Sequence, residues 1–337
     1  PRGLTEPIVK ELGDYEFRAR AGALLNEIAS ISKTLWLNQE YPETRKAKHF
    51  LSAPEWVAYC LGAELVNELS LVSRTGFYDV EARAPWREAM ALVGGGEDFL
   101  ARLVVAGEPI GVVNNDAPEV LRGAVITIAG HDHFTAAYYC GAINEGSLFD
   151  SMGTAEALLR TFKKPLSRNA IAELAAANVG LSASVIADHF TLLGALPTGL
   201  TLERVCSLVG VSTRDEKIAL GEAALKIDPK ASALRVNNDY HGLSVTNLDD
   251  AVSPAALFRA TAEHLVEESA NMVSLIEKFT GPATEVVVAG GWVKNPMIAS
   301  AKKNQFGSYK VSDATEAGAT GAAEFAGIAA GILKLRS

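Results

Sequence analysis

Apolar residues near the start of the chain, Leu24, Leu25, Ile28, Ile31 and Leu35, recur at the three-to-four spacing of one buried helix face. Tyr41-Pro42 stops that pattern, because a residue before proline is pushed out of the helical region. Ser52-Ala-Pro-Glu55 predicts a capping box at the head of a short helix, which Gly62 can end. Residues 72–79 read as loop and turn. Near residue 100 the period changes. Leu103-Val104-Val105 and Gly111-Val112-Val113 are short β-branched runs, and Ala124–Ala129 is a compact candidate for a buried strand ending at Gly130. Ser147–Met152 and Glu156–Phe162 predict two strands around a Gly153-Thr154 turn. A domain boundary is expected just ahead of them, giving domains 1–145 and 146–337.

The second half predicts one long helix. Ser253 caps it, Pro254 takes its first position, and Leu257, Thr261, Leu265, Met272 and Ile276 share a face up to Thr280-Gly281-Pro282. Glu285–Ala289 follows as a strand, then Gly290-Gly291, then Asn295-Pro296 as the cap and first turn of another helix. A last helix, rich in Ala and Gly, is expected from about Asp313 with Glu316 completing a capping box. Strands alternating with helices indicate an α/β architecture.

Composition narrows the function. The chain has 337 residues, 48% hydrophobic and 21% charged, enough apolar material for one large or two medium domains. Its formal charge of -9 argues against nucleic acid or an anionic membrane as a partner, so a polyanionic ligand needs backbone N–H groups or a few local cations. Cys60, Cys140 and Cys206 follow no disulfide or metal-ligand spacing and read as small buried hydrophobes of a protein in the reducing cytoplasm. No apolar run reaches the length of a membrane helix.

Chemistry can sit in three places. Gly130-His131-Asp132-His133 follows a strand, where a carboxylate is well placed to take a proton from a hydroxyl. His131 and His133 could instead hold a metal, or Asp132 could merely cap the next helix. Asp150-Ser-Met-Gly-Thr154 forms a Gly-Thr turn whose N–H groups and hydroxyl can face a phosphate, though most such turns only reverse the chain. Gly290-Gly291 after a buried strand lets a phosphate or flat ring approach the backbone, and equally suits a plain strand-to-helix turn. The pattern lacks a Walker lysine and a full dinucleotide fingerprint.

Taken together and in this order, these segments resemble the FGGY carbohydrate kinases. Gly130-His-Asp-His133 resembles the family's catalytic-base segment. Asp150–Thr154 resembles its second phosphate motif, and Gly290, Gly291, Asn295 and Pro296 resemble its adenosine motif. Glu316–Ala323 resembles its small-residue helix, and Lys33-Thr-Leu-Trp-Leu37 with Tyr41-Pro-Glu43 and the 70–79 stretch resemble its front half. The resemblance implies two actin-like (ribonuclease H-like) domains with a cleft between them, and ATP with Mg²⁺ as cofactors. It implies phosphorylation of a ketose, polyol or related small carbohydrate, with Asp132 as general base and near Mg²⁺. His133 and His131 would touch the sugar, and Gly153, Thr154, Gly290, Gly291 and Asn295 the nucleotide. A cytoplasmic enzyme that could pair as a homodimer is the expectation. The family's opening Asp-x-Gly-Thr/Ser phosphate segment has no counterpart in residues 1–20, so the first domain is expected to be incomplete. A relative that binds nucleotide or a partner without turnover is the alternative.

Overall fold

The computed structural model describes residues 3–228, 234–238, 242–248 and 252–336. The helices that position the candidate site are, in chain order, α1 (Asp14–Ala21), α2 (Asp132–Tyr139), α3 (Arg168–Ala176), α4 (Thr198–Leu208), α5 (Arg214–Leu225), α6 (Pro254–Thr280), α7 (Pro296–Phe306) and α8 (Ala317–Ala329). The strands are β1 (Val66–Glu68), β2 (Arg102–Val104), β3 (Ser147–Met152), β4 (Glu156–Phe162), β5 (Val179–Ala183), β6 (Phe190–Leu196), β7 (Glu285–Ala289) and β8 (Lys310–Val311).

The chain divides into two compact units. The first gathers Pro1–Glu145, Thr161–Leu193 and Glu316–Ser337, and the second Gly146–Arg160 and Gly194–Thr315. A single cut before residue 146 does not describe this, because later helices return to the first unit. There α3 packs on α1 and α8 on α2, with the Tyr138 and Phe325 rings 4.7 Å apart. The small residues of α8 permit that approach: a methyl added at Gly321 would lie 2.5 Å from the Thr135 carbonyl oxygen of α2. In the first unit β1 and β2 pair in parallel, Val66 opposite Arg102 and Glu68 opposite Val104.

Six strands form one sheet in the order β8-β7-β3-β4-β6-β5. Its centre is an antiparallel hairpin, β3 against β4, with Met152 opposite Glu156. On the other side of β3 the pairing turns parallel, with β7 in register from Glu285 opposite Ser147 to Ala289 opposite Ser151, and then β8. β3 and β4 carry almost unbroken burial because helices cover the sheet. A mixed sheet with a central hairpin and parallel flanking strands is the actin-like, ribonuclease H-like arrangement.

Most predicted elements form at the predicted residues, among them β3, β4, β7 and the Ser253-capped α6. Four readings need correction. The early helix begins at Ser30 rather than Leu24, because the Asn26 side chain takes the amides of Ile28 and Ala29 and leaves Ile28 74% exposed. Of the Ala124–Ala129 run only Val125–Ile126 pairs, with Gly111–Val112. The last helix starts at Ala317, and Glu316 precedes it without a side-chain cap. Cys60 is exposed, so its apolar neighbours in sequence do not enclose it.

Candidate functional site

In the first unit, Asp132 is the first residue of α2, and its side chain is 81% exposed. The preceding Gly130 has φ +88°, and a methyl there would strike Ser70 Oγ at 2.5 Å and Val185 Cγ1 at 2.7 Å, so only glycine fits. The His131 ring lies beside the carboxylate, Nδ1 3.0 Å from Asp132 Oδ1, and the His133 amide donates to the same oxygen at 2.8 Å. The His131 contact holds the Asp132 carboxyl well below the usual carboxylate range, against the opposing effect of partial burial. Burial lowers the His131 ring below its ordinary value, so it stands neutral near neutral pH. The His131 and His133 rings stack 5.9 Å apart, and among the described residues no group of three or more His, Cys, Asp or Glu could hold a metal. Arg74 is near enough for the Asp132 charge to act on it.

Behind this carboxylate lies a buried polar chain that joins Ser70, at the head of the 70–79 stretch, to Glu68, which the sequence did not single out. Glu68, at the end of β1, accepts from Ser70 Oγ at 2.6 Å and from the Leu71 amide at 3.0 Å. Ser70 Oγ in turn accepts the His131 amide at 2.9 Å. Burial pushes the Glu68 carboxyl up to about 7. A single glutamate closing a three-residue strand carries no sequence signal that separates it from a surface acid.

In the second unit, Gly153 and Thr154 form the exposed tip between β3 and β4. The tip is anchored at the head of α4, where the Leu200 amide donates to the Thr154 carbonyl at 2.8 Å. Gly290, at φ +102°, packs against it from the end of β7: a methyl there would meet the Met152 carbonyl oxygen at 2.3 Å. The two glycine segments therefore sit together, with Gly291 exposed. Asn295 lies inside, 4% exposed, accepting from the Met297 amide and donating to the Lys217 carbonyl at 2.7 Å. Its polar atoms thus position α7 and α5 around a cavity of about 370 Å³ lined by Glu203, Lys217, Ile218, Gly291, Trp292 and Lys294. Lys217 lies over the Trp292 ring, 5.6 Å from its centroid, and pairs with Glu203 at 2.7 Å. Such a cavity, one aromatic face with a cation beside glycine backbone, suits a base attached to phosphates.

Under the tip, Lys302 of α7 reaches Glu156 Oε1 at 2.5 Å, Ser269 Oγ at 2.9 Å and Asp150 Oδ2 at 2.8 Å. Lys302 falls four residues after the buried Ile298, so helical periodicity alone could have marked it as an inward lysine.

Residues 3–138 match the N-terminal domain of the FGGY family of carbohydrate kinases. Gluconokinase from Bacillus subtilis (strain 168) is 27% identical over 170 residues, 48% of this chain and 33% of that protein. L-fuculokinase from Escherichia coli (strain K12) is 24% identical over 309 residues, 88% of this chain and 64% of that protein. The chain thus spans between a third and two thirds of these curated relatives. The crystal structure of xylulose kinase from Rhodospirillum rubrum superposes with a TM-score of 0.85 at 16% identity, covering 97% of this chain and 69% of that one. The fold is that of the actin-like sugar kinases. The chain is similar to the FGGY family of carbohydrate kinases, in sequence over its front part and in fold over nearly its whole length.

Proposed function

We propose that this chain carries the machinery of an ATP-dependent kinase that phosphorylates a hydroxyl of a small carbohydrate, polyol or sugar acid, with Asp132 as the base. The observation that carries this reading is an exposed carboxylate kept ionised at a helix N-terminus. As the substrate oxygen bonds to the γ-phosphorus of ATP, its proton passes to Asp132 and ADP leaves. A carboxylate held this low is a weak base. Its main contribution is then to orient the hydroxyl and accept the proton late, as suits a loose phosphoryl-transfer transition state. The half-buried His131 and His133 flank the carboxylate and are assigned to the acceptor sugar.

The exposed Gly153, Thr154 and Gly291, with the half-buried Gly290 behind them, are assigned to the phosphates, and the Trp292–Lys217 cavity to the adenosine. Asn295 builds its wall. Mg²⁺ is bound in such enzymes through substrate phosphates and one or two carboxylates, a role the exposed Asp132 carboxyl fits without further side-chain ligands. When bound, the ion would neutralise charge on the transferring group. Relatives named for gluconate and fuculose support the acceptor class.

The test is ATP consumption by the purified protein against a panel of ketoses, polyols and aldonates, for wild type and Asp132→Asn. Turnover on one acceptor, lost in the variant, is the expected result. Equal turnover in both removes Asp132 as the base.

A further inference from the structure

Buried carboxylates are poor stabilisers, because desolvation offsets most of what their hydrogen bonds return. Glu68 is a severe case: its side chain is wholly buried and, among the described residues, Oε1 has no hydrogen-bond partner. A second buried carboxylate, Glu55, is close by. It is fully used in shaping the chain, taking the amides of Ser52 at 2.6 Å and Glu68 at 2.7 Å and the Asn67 side chain at 3.0 Å. Glu68 has no such spread of partners. Its Oε2 serves Leu71 and the Ser70 hydroxyl.

The Ser70 hydroxyl points its hydrogen at Glu68 and so presents a lone pair outward, where the His131 amide donates to it at 2.9 Å. A hydroxyl free to rotate would offer that lone pair only part of the time. The contact falls on the residue directly before Asp132. The segment is clamped on its other side as well, where Thr135 Oγ1 donates to the carbonyls of Ala129 and His131 at 3.0 Å each. Gly130 presses directly on the Ser70–Glu68 pair, with its added methyl 3.0 Å from Glu68 Oε2.

We propose that Glu68 and Ser70 are positioning residues for Asp132: the Glu68 carboxyl orients the Ser70 hydroxyl, which holds the His131 amide and thereby the place of the carboxylate beside it. The inference rests on Asp132 being the base for its effect on turnover, whereas its structural half can be read without any turnover.

Amide hydrogen exchange across Gly130–Phe134 in the full chain tests it, for wild type, Glu68→Gln and Ser70→Ala, beside steady-state kinetics on the acceptor found above. Loss of one hydrogen bond at His131 is expected to speed exchange there about tenfold in Ser70→Ala and to a similar degree in Glu68→Gln. The same variants are expected to lower kcat about tenfold or more while KM for ATP stays within about twofold. Unchanged exchange at His131 in Ser70→Ala overturns the proposal. So does a fall in kcat matched by an equal rise in KM for ATP, which marks general loosening of the protein. If Glu68→Gln does not fold, Ser70→Ala decides alone, since it removes a single oxygen. Failure of the base assignment is separate: Asp132→Asn would then turn over normally while the exchange result still held.

Discussion

The ammonium of Lys302 lies 2.8 Å from the carboxylate of Asp150, and neither side chain has any exposed surface. Asp150 and Glu156 sit on opposite arms of the β3–β4 hairpin, just before and just after the Gly153-Thr154 tip, so one lysine from α7 joins both arms beneath the turn. Burial alone would strip the Lys302 proton, but the two carboxylates hold it on and raise the lysine above its ordinary value. Burial and the adjacent Glu156 push the Asp150 carboxyl up to about 7. One positive and two acidic groups thus share a dry space.

Lys302→Met should therefore destabilise the protein by about 3–5 kcal/mol, since it leaves two buried carboxylates without their counter-charge. Urea unfolding followed by circular dichroism measures this. Adding Asp150→Asn and Glu156→Gln to Lys302→Met should recover part of the loss, because the uncompensated charges go with them. An unchanged midpoint in the single variant would mean the cluster is already neutral.

Asp132→Asn should leave stability nearly intact. The side chain is exposed, so losing its charge beside His131 and at the head of α2 costs about 1 kcal/mol or less once solvent screening is counted. Turnover should fall by about 10²–10⁴ through loss of the proton acceptor. Thermal unfolding and steady-state rates on one preparation separate the two effects.

The paired glycines should behave differently. Gly290→Ala forces a positive φ on alanine and drives its methyl into the Met152 carbonyl at 2.3 Å, a backbone contact that cannot rotate away. A loss of about 2 kcal/mol or more is expected. Gly291→Ala meets nothing within 4 Å among the described residues and has φ -69°, so its stability should change by less than about 0.5 kcal/mol. Thermal melts of the two variants give the comparison, and equal losses would contradict the packing of Gly290 on β3.

Glu68 should make stability depend on pH in a defined direction. Its folded pKa, about 7, lies above the ordinary 4.5, so the folded state binds the proton more tightly than the unfolded one. Its stabilising contribution is complete below about pH 4.5 and declines as pH rises to 7, by an amount on the order of 3 kcal/mol. Asp150 acts in the same sense, so the informative quantity is the difference between wild type and Glu68→Gln. Urea midpoints from pH 4.5 to 7.5 should converge at one end and diverge at the other. Parallel curves would place the Glu68 carboxyl in the ordinary range.

Local rules carried much of the fold. The β-branched run 285–289, the Ser253-Pro254 start and the Asn295-Pro296 start work through neighbours a few residues away, so each could be read from the chain. Exposed and partly exposed pieces of the candidate site were also visible there, because glycine pairs and a Gly-His-Asp-His segment are unusual enough to notice. Glu68 and Ser70 were not separable in the same way. Their meaning depends on His131, sixty-one positions beyond Ser70. Lys302 likewise acquires its role from Glu156, 146 positions earlier.

By itself, then, the sequence determined where most strands and helices form and the α/β class, because periodicity, caps and turn residues act over one or two turns of chain. Only the tertiary structure decided which polar groups are buried together, that α3 and α8 belong with the first unit, and that Asn295 faces inward. Those outcomes arise from packing between distant segments, and burial of a charge is a property of everything that surrounds it.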